Sequence, residues 1–152
     1  MRTKMKNDLF NSTFEMGLRI ATLLSVDSKR CYSVTRILAI DFISCYAYAF
    51  GFSDNNLHGD NPYMYSEISS RRTLIQEAVK NLVLRGIVDV RVDGGYYYQI
   101  KEKGITYVFS FESEYATEYR MSIEKVISEL CDYTDEELMK MIQFKRDAKK
   151  ED

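Results

Sequence analysis

The segment from Glu67 to Ile100 narrows the fold more than any other part of the chain. A helical pattern over Glu67 to Arg85 places Ile68, Ile75, Ala78, Val79, Leu82 and Val83 on one side, with Ser69, Thr73, Gln76, Lys80 and Asn81 opposite. It stops at Gly86 and runs directly into Ile87-Val88-Asp89-Val90-Arg91-Val92, then Asp93-Gly94-Gly95, then Tyr96-Tyr97-Tyr98-Gln99-Ile100. An Asp-Gly turn between two β-rich runs signals a hairpin. Helix, short strand, tight turn and return strand form the second half of a winged-helix-like domain, an architecture that works by binding DNA or protein. Val88, Val90 and Val92 alternate with Asp89 and Arg91, which predicts one buried face for the hairpin.

The flanking sequence is helical. Ser12-Thr13-Phe14-Glu15 is a capping box opening a first helix, with Phe10 placed as a staple and Phe14, Leu18, Ala21 and Leu24 at helical spacing. A second helix, from about Ser33 to Ala49, is apolar nearly all round and therefore belongs inside a bundle or under a partner. Asp41 lies on its stripe with Val34, Leu38 and Cys45. A buried carboxylate there needs a counter-charge, so an arginine or a backbone cap is expected beside it. Arg71 and Arg72 fall in the opening turns of the third helix, where the helix dipole gives a cation no support, and are assigned with Asp41 to a polar tie between helices.

Phe50 to Tyr65 is a long polar loop holding the only proline, Pro62. Loops of that length are more often functional than idle. After the hairpin, Ile105, Val108 and Phe109 suggest a short helix or a third strand; a long helix runs from about Glu114 to Leu130, and a second capping box at Thr134 to Glu137 opens a last one. The overall expectation is a mainly α chain with a small β-hairpin. It divides into a flexible N-terminus (1–8), a winged-helix-like domain (9–112), a C-terminal helical extension (113–144) and a charged, frayed tail (145–152).

The 152 residues are 45% hydrophobic, enough for a real core, and the net charge of −2 argues against a protein that coats DNA. Cys31, Cys45 and Cys131 are odd in number and lack CxxC spacing, so they read as reduced, buried thiols of a cytoplasmic protein. The start of the chain has no apolar run of a signal peptide, and the stretch Ile37 to Phe52 is too short and carries Asp41, so no membrane association is expected.

Little in the chain points to chemistry. The single histidine, His58, sits in the polar loop and reads as a surface or capping residue, with no second histidine or cysteine nearby to make a zinc site. No phosphate-binding or nucleophile motif occurs, and the carboxylates are scattered over outer faces, so neither enzyme activity, metal nor cofactor is expected. For DNA the candidates are Arg72, Lys80 and Arg85, but a turn of about two residues with Arg91 as the wing's sole base gives little reach along a phosphate backbone. Twelve tyrosines and no tryptophan suggest protein contacts, with Tyr63, Tyr65 and Tyr97 as candidates and Tyr97 the exposed member of its run.

One resemblance runs along the chain. Leu9-Phe10-Asn11-Ser12-Thr13-Phe14-Glu15-Met16-Gly17-Leu18-Arg19, then Ile40-Asp41-Phe42, Leu57-His58, Arg71-Arg72 with Leu74-Ile75-Gln76-Glu77, and Arg85-Gly86-Ile87-Val88 are similar to the middle components of bacterial ABC-three-component systems, the Lamassu-type defence operons. The order is kept over about residues 9–130; Thr13 and Gly59 stand where that family often has proline. The resemblance implies a small non-catalytic subunit that works beside an SMC-like ABC ATPase and an effector, often a nuclease, and meets foreign DNA mainly through the complex. The bridging subunit is the first expectation, with the Phe50 to Tyr65 loop, the Tyr97 side of the hairpin and the C-terminal helix as docking surfaces. A winged-helix DNA-binding regulator is the alternative.

Overall fold

A computed structural model describes residues 12–111 and 113–151, the side chains of 149–151 excepted. Helix α1 spans Thr13–Val26, α2 Val34–Cys45 and α3 Ile68–Leu84, with a short 3-10 turn over Met64–Glu67 leading into α3. Strands β1 (Val88–Val92) and β2 (Tyr96–Ile100) follow, then α4 (Glu102–Val108), α5 (Glu114–Leu130) and α6 (Asp135–Glu151). The fold is mainly helical with one antiparallel hairpin, as the patterning indicates.

Each boundary has a local cause. Ser12 Oγ accepts from Glu15 N at 3.1 Å to open α1, and Ser33 and Ser113 do the same for α2 and α5. At α6 the box is reciprocal: Thr134 Oγ1 accepts from Glu137 N while Glu137 Oε1 accepts from Thr134 N. Helix α3 ends where Gly86 takes φ +72° and Ile87 N bonds back to Leu82 O at 3.0 Å, a Schellman-type stop that delivers the chain straight into β1. Phe10, the expected staple, lies outside the described residues.

Helix α2 is the axis of the molecule. Every residue from Arg36 to Cys45 is buried, and α1, α3, α5 and α6 all pack on it. Each fully buried Ile, Leu or Phe contributes roughly 1.5–3 kcal/mol, so this helix is the largest single source of cohesion. The helix ends at Cys45, short of the expected Ala49, because the chain turns back through Gly51 (φ +80°) and returns Phe50 to the core. Helices α5 and α6 supply Tyr119, Ile123, Val126, Leu138 and Ile142 to the same core.

Three expectations are corrected. Phe14 is not part of the buried stripe of α1; it is 64% exposed. Of the three cysteines expected to be buried only Cys45 is; Cys31 is half-buried, and Cys131 is exposed at the end of α5. The hairpin does not bury one face along its length: only Val88 and Ile100, at its base, are fully buried, while Val90 and Val92 stand in the open. Packing fades from base to tip, with Tyr98 half-buried against the core and Tyr96 exposed near the turn. At that base Gly104 of α4 approaches so closely that a Cβ would lie 2.6 Å from Ile87 O. On its other side β2 meets the segment between α1 and α2, where Tyr32 and Tyr98 form an isolated antiparallel bridge.

Candidate functional site

The centre of the molecule is polar. Asp41, fully buried on α2, accepts from Arg19 Nε (3.0 Å) and Nη2 (3.3 Å) of α1, from Arg71 Nη1 (2.7 Å) of α3 and from the Tyr119 hydroxyl (2.7 Å) of α5. Arg71 Nη2 reaches on to Glu67 Oε2 at 3.4 Å, so charges alternate in sign along a line from Arg19 through Asp41 and Arg71 to Glu67. A lone buried carboxylate would be very costly, whereas this one is matched at both oxygens. Burial alone would push the Asp41 carboxyl up, but the two guanidiniums outweigh it and hold the group well below the usual carboxylate range.

His58 enters this cluster from the loop. Its Nδ1 lies 3.2 Å from Arg71 Nη2 and its Nε2 2.7 Å from the Tyr115 hydroxyl. A guanidinium can only donate, so Nδ1 accepts and Nε2 carries the proton that goes to Tyr115. Desolvation, with Arg19 and Arg71 close by, pulls the ring down to about 3, so the imidazole is neutral. Burial pushes the Cys45 thiol up to about 11, which makes it an inert core group beside Asp41 and Arg71. This is a closed, compensated network whose chemistry is positional: it joins α1, α2, α3, α5 and the loop at one point.

The loop is held rigid by the network's outer rim. His58 N bonds Cys45 O at 3.2 Å, Asn61 Nδ2 donates to Glu67 Oε1 at 2.7 Å, and the Tyr46 hydroxyl donates to Glu67 Oε2 at 3.1 Å. Asn56 Oδ1 receives Ala49 N at 3.2 Å. Outside this rim lies a groove of about 560 Å³ between the loop and the end of α6, lined by Tyr48, Pro62, Met64, Tyr65 and Ala148 together with polar Asn56 and Asn61 and the charges of Asp60 and Lys145. Tyr48 and Tyr63 project beside it, 59% and 75% exposed. Aromatic side chains on an immobilised loop are good anchors, since little entropy is lost when they are covered.

The sequence model of the ABC-three component (ABC-3C) system Middle Component 2 family matches residues 9–151. The chain belongs to that family. As a Middle Component 2 chain it is one part of a multi-component ABC-three component system. The match extends past Leu130, where the sequence resemblance stops, and takes in α6. No match is found among curated proteins or among solved structures.

The cluster gathers what the Middle Component 2 sequence spreads over more than a hundred positions. Four of the stretches that carry the resemblance each deliver one residue to it: Arg19, Asp41, His58 and Arg71. Sequence reasoning pairs Asp41 with Arg71 and Arg72; the structure brings Arg71 to it but sends Arg72 to Thr35 Oγ1 at 3.1 Å. Arg19, His58, Tyr115 and Tyr119 are the members it missed. The signal was an arginine on the otherwise buried face of α1, and a histidine in one of those stretches. His58 is half-buried, with both ring nitrogens bonded inside the cluster, where a surface or capping histidine was expected.

The remaining candidates are scattered. Tyr63 is open and Tyr65 half-buried against Phe42 (ring centroids 5.7 Å apart). Tyr97 is half-buried, and Tyr96, paired with Val92 beside the turn, is the exposed tyrosine of the hairpin. Lys80 on α3 and Arg85 at its C-cap are exposed, on a face that also carries Ser69, Thr73, Gln76 and the opposite charge of Glu77. Among the described residues no group of three or more metal-ligating side chains occurs, and no helix is long and apolar enough to cross a membrane.

Proposed function

We propose that this protein is a non-catalytic, cytoplasmic docking subunit that joins the SMC-like ATPase of its ABC-three component system to the effector, in defence against phage or plasmid DNA. The observation that carries the reading is the groove beside Tyr48, Tyr63 and Tyr65: an aromatic surface on a loop fixed from behind by the Asp41 network. Protein interfaces are enriched in tyrosine, and the two charges that line the groove, Asp60 and Lys145, are of opposite sign. The polar tie of Asp41 and Arg71 is its support, and Tyr63, Tyr65 and the exposed hairpin its contacts.

The architecture of residues 13–100 is winged-helix-like on this reading. In its support, α1, the Tyr32 bridge, α2, α3 and the hairpin follow one another in the order such a domain requires, with Tyr32 standing for the first strand. DNA contact is assigned to the assembled complex, since the face of α3 offers mainly neutral polar groups, with Lys80 and Arg85 near its end.

The test is co-elution. The full chain, mixed with the ATPase and the effector encoded alongside it, is expected to run with at least one of them on size-exclusion chromatography, and to retain that partner at moderate salt. A chain that elutes alone from every mixture, yet shifts duplex DNA at low salt, refutes the docking role in favour of a DNA-binding regulator.

A further inference from the structure

The exposed surface around the groove extends onto α6. Ala148 and Lys145 of that helix line the groove. Phe144, one turn before Ala148 on the same face, is 72% exposed. On the loop side Tyr48 and Tyr63 are open as well, so three large side chains stand around one concave surface. A single exposed apolar residue is ordinary, whereas several grouped together mark a contact.

The backbone of the loop wall is already engaged. Tyr63 N donates to Asn61 Oδ1 (2.9 Å), Met64 N to Asn61 O (3.1 Å), Gly59 N to Asn56 O (3.0 Å) and Ala49 N to Tyr46 O (3.0 Å). The facing wall is a helix, whose backbone bonds run along its own axis. An extended peptide docks by pairing with a row of free backbone groups, and neither wall offers one. A partner is therefore held by side chains. A helix suits such a groove, because it satisfies its own backbone and presents side chains at i, i+3, i+4 and i+7.

The two walls carry opposite charge. Lys145 on α6 is exposed and stands outside the ion pairs of its helix, Lys140–Glu136 and Arg146–Asp147. Asp60 on the loop is exposed and takes a bond from Asn56 Nδ2 at 3.3 Å. We propose that the groove takes one amphipathic helix of the partner. Its apolar stripe lies against Tyr48, Tyr65 and Phe144, with a carboxylate on the flank facing Lys145 and a base on the flank facing Asp60. This rests on the docking role of the loop, and adds which kind of segment docks and which way it is turned. Laid end for end, the same helix would set like charges together at both walls, so Lys145 and Asp60 select one direction.

The test uses the full chain with the ATPase and the effector encoded alongside it. Lys145→Glu and Asp60→Lys are each expected to weaken binding of the partner about threefold or more, and Phe144→Ser about tenfold. All three side chains are exposed, so circular dichroism of each variant should match the parent. Photo-reactive benzoylphenylalanine placed at Tyr63 and at Phe144 in turn should cross-link the partner within one segment, at residues three or four apart. Cross-links two residues apart, or spread over separate segments, overturn the proposal, as does binding that all three substitutions leave unchanged. In those cases the docking role itself stands. A chain that binds neither protein refutes the docking role, and the helix with it.

Discussion

Asp41 is the residue on which the most depends. It takes four hydrogen bonds from Arg19, Arg71 and Tyr119 in the centre of the core. Asp41→Asn keeps the shape but removes the charge that two buried guanidiniums share, and should cost about 3–5 kcal/mol in urea denaturation. Arg72→Met, which removes only the bond to Thr35, should cost less than about 1 kcal/mol. Equal losses from both would contradict the assignment of the tie to Arg71. His58 makes a pH prediction. Its folded-state value, about 3, lies below the ordinary 6.5, so the unfolded chain binds the extra proton first. Stability is therefore full above about 6.5 and falls as pH drops towards 3, by up to about 1.4 kcal/mol per unit. Asp41, also depressed, adds to the acid loss below its ordinary 3.8. His58→Gln should flatten the slope between pH 6.5 and 4.5; denaturation midpoints that fall equally in both proteins would rule out the neutral, buried imidazole.

At the scale of elements, what sets each helix in place is often one side chain from another. Arg36 of α2 is buried and spreads its guanidinium over the end of α5 and the corner to α6: Nη1 to Tyr133 O (2.7 Å) and Asp135 Oδ1 (3.2 Å), Nη2 to Leu130 O (3.3 Å) and Cys131 O (3.4 Å). Leu130 O also accepts from Tyr133 N (3.0 Å) and Cys131 O from Arg30 Nη1 (2.8 Å), so Arg36 adds to a corner bonded from several sides. Arg36→Met should destabilise the fold by about 2–4 kcal/mol and raise amide exchange in α6 before that in α3; uniform exchange would contradict a clamp. Gly104→Ala presses a methyl against Ile87 O and Ile100 and should cost about 1–3 kcal/mol, read as a lowered Tm. Element types were largely legible because caps, the Gly86 stop and apolar periodicity are local signals. The clamp and the close approach of Gly104 were not, since both join residues far apart in sequence. The hairpin misled for a related reason: alternation reports that a strand is two-faced, not that something is there to cover one face.

For the whole molecule, a helix apolar all round implied a central position, and α2 holds it, surrounded by four others. The candidate site was only half legible. A buried carboxylate demands a counter-charge, so an arginine beside Asp41 could be argued from the sequence, but which one depends on how α1 and α3 cross α2. His58 was unreadable from composition, because a polar loop says nothing about being folded back into the core. The groove was legible only as a tyrosine-rich loop; its wall from α6 comes from tertiary packing. The central claim is that this loop surface, fixed from behind by the Asp41 network, is where the protein meets its partner. The most direct measurement is the affinity of the full chain for the ATPase or effector encoded alongside it, comparing Tyr48→Ser/Tyr63→Ser with Lys80→Glu/Arg85→Glu. The tyrosine pair should weaken binding about tenfold or more with an unchanged Tm, and the charge pair should leave it within about twofold. Loss of binding on the α3 side with none at the tyrosines would contradict the account.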